Sequence, residues 1–151
     1  MENLKNKLKN FSLEELKALY TPISREISTF DTTFDLEYEE SFIKENGQQS
    51  KRTTKARARL RGSIDRKCYV VYARYKYKAK VTVNGKPFKV DSIIARMNSG
   101  NDDFTKKVNN NSELNKTDKV YEYGVACKAS WMIATAKKGN STGRVRVDLK
   151  L

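Results

Sequence analysis

Hydrophobic and polar positions alternate with period two over most of this chain, the pattern of strands whose successive side chains point to opposite faces of a sheet. The longest run is Tyr69–Val83. Its apolar set is Tyr69, Val71, Ala73, Tyr75, Tyr77, Ala79, Val81 and Val83, and the two central tyrosines read as core. The intervening set is Val70, Tyr72, Arg74, Lys76, Lys78, Lys80 and Thr82, with four cations in a row.

Other segments follow the same rule. Phe30, Thr32, Phe34, Leu36 and Tyr38 alternate with Asp31, Thr33, Asp35, Glu37 and Glu39, giving a strand with an acidic outer face. Thr54, Ala56, Ala58 and Leu60 oppose Lys55, Arg57, Arg59 and Arg61. A less regular strand runs from Phe88 to about Arg96. Val120–Ala136 reads as one long strand whose apolar face, Tyr121, Cys127, Trp131 and Ile133, belongs to the core. At the C-terminus Val145, Val147, Leu149 and Leu151 oppose Arg144, Arg146, Asp148 and Lys150. Asn46-Gly47 and Asn84-Gly85 are hairpin signals, because both residue types tolerate the positive φ that tight turns need.

Two segments break the pattern. Ser12-Leu13-Glu14-Glu15 has the form of a capping box, and Leu13, Leu16 and Leu19 supply an apolar stripe before Pro22, so residues 1–22 read as a helical segment. Residues 98–118 are polar and Asn-rich and read as a long mobile loop. The expected fold is therefore mainly β (α+β): an antiparallel β-sandwich or barrel of about six strands with a short N-terminal helix. A single domain covers 1–151, its β-rich core spanning 27–151.

Charge changes the picture more than composition does. The 151 residues carry a formal net charge of +13, unevenly placed. Residues 1–47 hold ten acidic and six basic side chains, whereas residues 48–151 hold twenty-five basic and eight acidic. Three strands present basic outer faces: Lys55, Arg57, Arg59 and Arg61; Arg74, Lys76, Lys78 and Lys80; Arg144, Arg146 and Lys150. The acidic strand is able to neutralise one of them, not three. The excess points to a polyanion, bound through counterion release at its phosphates, and arginine's planar fork suits phosphate oxygens. Tyr72 shares the cationic face and is the candidate for stacking on a base.

Little speaks for catalysis. The chain contains no histidine, which removes the commonest general base near neutral pH. There is no Gly-rich phosphate loop, zinc spacing or nucleophile elbow. Asp35, Glu37 and Glu39 sit at strand spacing and read as one solvated face rather than a metal site. No cofactor is implied. Cys68 and Cys127 lie far apart in strand-like runs and read as buried thiols, with one disulfide as the alternative. No signal peptide or membrane span is visible, so the expectation is an intracellular, cytoplasmic protein without membrane insertion.

The function expected is a non-catalytic nucleic-acid-binding protein whose partner is RNA or single-stranded DNA. The contacts fall on Lys55, Arg57, Arg59, Arg61, Tyr72, Arg74, Lys76, Lys78, Lys80, Arg144, Arg146 and Lys150. Alternatives are a viral structural (jelly-roll-like capsid) or movement protein associating with nucleic acid, or an inhibitor of a host nucleoprotein. Strand edges offer a route to homo-oligomers.

Overall fold

The computed structural model describes residues 23–69, 72–99, 103–121 and 129–149. They form nine strands: β1 (Ser24–Ile43), β2 (Gln49–Cys68), β3 (Tyr72–Val83), β4 (Lys86–Pro87), β5 (Val90–Asn98), β6 (Asp103–Asn111), β7 (Glu113–Tyr121), β8 (Ser130–Lys138) and β9 (Ser141–Leu149). One antiparallel sheet runs β1-β2-β3, and β3 then pairs with β7 along most of its length and with the short β4 at its end. The second runs β6-β5-β8-β9. The expected helix over 1–22 lies outside the described residues. No helix among the described residues is long and apolar enough to cross a membrane.

Where the alternation is regular, in β1, β2, β3 and β9, strands form, and their buried set is chiefly the apolar one. Ala73, Tyr75, Tyr77, Ala79 and Val81 of β3 are buried beside Phe30, Phe34 and Leu36 of β1 and Ala58, Leu60 and Ile64 of β2. Facing them from the second sheet are Ile93, Ala95, Met97, Met132, Ala134, Ala136, Val147 and Leu149. Side-chain sizes are complementary across the layers: large rings come from the first sheet, small residues from the middle of the second. At Gly143 of β9 an added Cβ would lie 2.3 Å from the Phe34 ring, so the missing side chain is what admits that ring. Within the first sheet, Gly62 of β2 leaves room for the Lys78 carbonyl of β3 and for the Phe30 ring of β1, which an added Cβ would meet at 2.6 Å.

The two sheets meet at opposite margins in different ways. At one margin β1 lies along β9, joined by the Glu37 amide donating to Ser141 Oγ at 2.8 Å and by Ser28 Oγ donating to the Asp148 carbonyl at 3.4 Å. No strand ladder forms there, so the architecture is a sandwich rather than a closed barrel. At the other margin the chain passes from β6 directly into β7 and so from one sheet to the other. Asn110 has φ 50°, and Asn111 Oδ1 accepts from the amides of Ser112 (2.8 Å) and Glu113 (3.2 Å).

That corner corrects the expected loop over 98–118. The Asn cluster is a bend between two strands, and the polar residues around it belong to sheet margins that need only a few buried anchors, such as Leu114 and the half-buried Phe104. The expected strand Val120–Ala136 is likewise two elements in different sheets, β7 ending at Tyr121 and β8 starting at Ser130. Trp131 faces outward, not into the core. On β8 the small and slender residues Ser130, Met132, Ala134 and Ala136 point inward, because the rings of the first sheet fill that space. The indole instead lies against two guanidinium groups, Arg96 at 5.5 Å and Arg146 at 5.1 Å. Cys68, read as a thiol, is disulfide-bonded; the chain's other cysteine, Cys127, lies outside the described residues. Sequence separation says nothing about which sulfurs a fold brings together.

Among the described residues one charged side chain is fully buried. Arg66 of β2 is 0% exposed. Its Nε donates to Glu26 Oε2 of β1 and its Nη1 to Ser130 Oγ of β8, both at 2.8 Å, while the guanidinium lies 5.9 Å from the Tyr75 ring centre. The Tyr75 hydroxyl completes the cluster with Ser130 Oγ at 3.1 Å. Burial works against the charge, but the bonds to Glu26 and Tyr75 outweigh it and raise the Arg66 pKa above its ordinary value. The network joins both sheets. Arg66→Ala removes the bond to Ser130 and leaves Glu26, 26% exposed, without the guanidinium, so it is expected to lower stability by about 1–3 kcal/mol in urea unfolding. Exposed Arg57→Ala should stay within about 1 kcal/mol by the same measurement.

Candidate nucleic-acid interface

The outer face of the first sheet is assembled by register. β1 pairs with β2 along its full length, setting Asp31 opposite Arg61, Thr33 opposite Arg59, Asp35 opposite Arg57 and Glu37 opposite Lys55. The acidic strand thus lies against the basic strand next in sequence. Arg59 binds Asp31 through both nitrogens of its fork, and Arg57 reaches Asp35 at 3.3 Å. Further along, Arg52 meets Glu40 at 3.3 Å, and Arg25 grips Asp65 with bonds of 3.0 and 2.7 Å.

β3 lies on the far side of β2 and receives few of these carboxylates. Its outward row is Tyr72, Arg74, Lys76, Lys78 and Lys80, and its inward row is the buried one. Among the described residues no ion pair forms at Arg74, Lys76, Lys78 or Lys80, nor at Arg61 or Lys67 of β2. The paired registers of β1-β2, β2-β3 and β3-β7 also place Arg25, Lys67, Arg74 and Lys119 in one row across four strands. Two rows of cations, one along β3 and one across the sheet, therefore intersect at Arg74. Asp65, held by Arg25, stands opposite Lys76 in the β2-β3 ladder, and Lys67 and Arg74 both act on its carboxylate. Between Arg61, Lys78 and Lys80 the face dips into a shallow depression of about 400 Å³ floored by Phe30.

Aromatic rings close one end of the β3 row. Tyr69 stacks on Tyr72 with ring centres 4.3 Å apart and planes at 10°. Tyr121 of β7, opposite Tyr72 in the ladder, lies 5.5 Å from it at 33°. Lys119 Nζ is 5.5 Å from the centre of the Tyr72 ring. Burial and the adjoining Tyr69 raise the Tyr72 pKa, so the ring is neutral in ordinary buffers. Tyr72 is thus already stacked on one face, and the ring of this group that is open to solvent is Tyr121.

The structure brings Lys55, Arg57, Arg59, Arg61, Tyr72, Arg74, Lys76, Lys78 and Lys80 onto one surface, where Lys55, Arg57, Arg59 and Arg61 adjoin the acids of β1, and the β3 residues lie one strand further off, with Asp65 opposite Lys76 and Glu113 opposite Lys80. Arg144 and Arg146 are exposed on β9 in the other sheet, beyond the acidic strand β1, and Arg146 pairs with Asp148 at 3.0 Å. Lys150 lies outside the described residues. Sequence reasoning missed Arg25, Lys67, Lys119 and Tyr121. Lys67 continues the period-two set of β2 past Asp65 and was there to be read; Lys119 and Tyr121 gain their place only from the β3-β7 pairing. Among the described residues no group of three or more His, Cys, Asp or Glu side chains is placed to hold a metal ion.

Three carboxylates that face arginines, Asp31, Glu40 and Asp65, have depressed pKa values. Asp31 is lowered first by its bond to Arg59, Asp65 by its bond to Arg25, and Glu40 by Thr54 ahead of Arg52. A carboxylate whose folded value lies below its unfolded value contributes stability above the unfolded value, near pH 4, and loses it as pH falls through the folded value. The urea midpoint is therefore expected to hold from pH 7 to about pH 4 and fall below it. In Asp31→Asn/Asp65→Asn the fall should be shallower; an identical acid limb in that variant refutes the assignment. Comparison of the chain with protein-family models, with curated proteins and with solved structures returned no match.

Proposed function

We propose that this protein is a non-catalytic nucleic-acid-binding protein that holds the phosphate backbone on the outer face of β3 and its neighbours. The observation that carries this reading is the row Arg74, Lys76, Lys78 and Lys80, which forms no ion pair among the described residues, crossed by Arg25, Lys67, Arg74 and Lys119. Like charges at strand spacing repel, and a fold that only needed solubility would intersperse signs. A polyanion offsets the repulsion and gains entropy from the counterions it releases. Among the described residues the face is built of strands alone, with no helix or ribbon standing out from it, which favours backbone contacts over the reading of base edges.

The test is binding of labelled oligonucleotides at two salt concentrations. Neutralising Lys76 and Lys78 together to Gln should reduce the slope of log affinity against log salt by about 2 while leaving the fold intact. The pair Lys55→Gln and Arg57→Gln, whose side chains adjoin Asp35 and Glu37, should change the slope by less. Binding without salt dependence, or equal effects of the two pairs, would sink the proposal.

A further inference from the structure

We propose that the nucleic acid taken by this face is single-stranded, with an unpaired base laid on Tyr121 at the end of the β3 row. This rests on the phosphate-binding reading above and adds to it the class of ligand.

Three observations converge. First, Tyr121 is 44% exposed, although it stands in a ladder position directly opposite Tyr72 and is backed by the Tyr69–Tyr72 stack. A ring supported from behind and open in front is a stacking surface whose conformational freedom is already reduced. Second, rings and cations interleave on this surface: Lys119 is one two-residue step from Tyr121 on the outer face of β7, and its register partner Arg74 is one step from Tyr72 on β3. Sequence-tolerant single-strand binding uses this combination, because every base has a π-face and every nucleotide a phosphate.

Third, the spacing suits an extended strand. Cations two residues apart on β3 recur about every 6.8 Å, so the row from Arg74 to Lys80 covers about 20 Å in a line. That repeat is comparable to the separation of neighbouring phosphates in an extended single strand. In a duplex the phosphates of each strand wind away from any straight line, and the bases are stacked on one another. A duplex on this face would leave Tyr121 nothing to stack on.

The experiment compares a fluorescently labelled deoxythymidine oligomer, an abasic oligomer with the same number of phosphates, and a duplex of the same length, each titrated with the full chain. Wild type should bind the thymidine oligomer about 5- to 100-fold tighter than the abasic one, and tighter than the duplex. Tyr121→Ala should abolish the preference over the abasic oligomer while keeping the salt slope, and Tyr121→Phe should retain both. Equal affinity for the thymidine and abasic oligomers, a duplex bound as tightly as the single strand, or a Phe variant behaving like Ala overturns the inference. Salt-dependent binding of the abasic oligomer together with any of those results leaves the phosphate reading standing. If the abasic oligomer shows no salt-dependent binding, that reading fails as well.

Discussion

The pairing of β1 with β2 is the constraint on which the surface chemistry depends. Strand period fixes which residues face outward, but only register decides which charges become neighbours. A shift of one residue would turn Asp31, Asp35 and Glu37 inward and Phe30, Phe34 and Leu36 out to water, so burial of those apolar side chains specifies the register strongly. Each ion pair along the strands adds little at such exposure. The core thus sets the register, and the register in turn places the carboxylates of β1 beside the arginines of β2. The excess of positive charge is left on β3, one strand further from the acidic row.

Much of this was legible in the sequence. The alternation of Tyr69–Val83 correctly separated buried tyrosines from exposed cations, and counting carboxylates against basic rows showed that one row would be compensated and others not. Which row it would be was not legible, because pairing is a property of two strands and periodicity a property of one. The region 98–118 failed for a related reason. A strand at a sheet margin is held by backbone bonds and a few anchors such as Leu114, so its sequence carries hardly any hydrophobic period. Lys119 lies just past it, and Tyr121 was read as core on the strand Val120–Ala136 although it is exposed.

Trp131 and Arg66 show the reverse failure, where residue type misleads. A tryptophan amid apolar neighbours is ordinarily core and an arginine ordinarily surface. Here the aromatic volume of the first sheet already fills the sandwich, leaving room on β8 only for alanine, serine and methionine. Arg66 enters because Glu26, Ser130 and Tyr75 converge on it from three other strands. Such convergence is a tertiary fact that no local window contains. Both exceptions follow from size and charge complementarity across the layers, the same complementarity that Gly143 provides by leaving a side chain out.

The arrangement also accounts for why the cationic rows do not compromise the fold that carries them. Arg74, Lys76, Lys78 and Lys80 project from a strand whose other face is fully buried and whose two long neighbours, β2 and β7, pin it by backbone hydrogen bonds. Repulsion among exposed charges in water is small, about 1 kcal/mol at 4 Å before salt screening and less at strand spacing. The burial beneath them is worth far more, about 1.5–3 kcal/mol for each large apolar side chain. A central strand is therefore the place where a fold carries a like-charged row at least risk, whereas at a sheet edge the same repulsion would act on a strand held from one side only. Stability is supplied from below and charge is displayed above, and the two faces of β3 are left free to serve different ends.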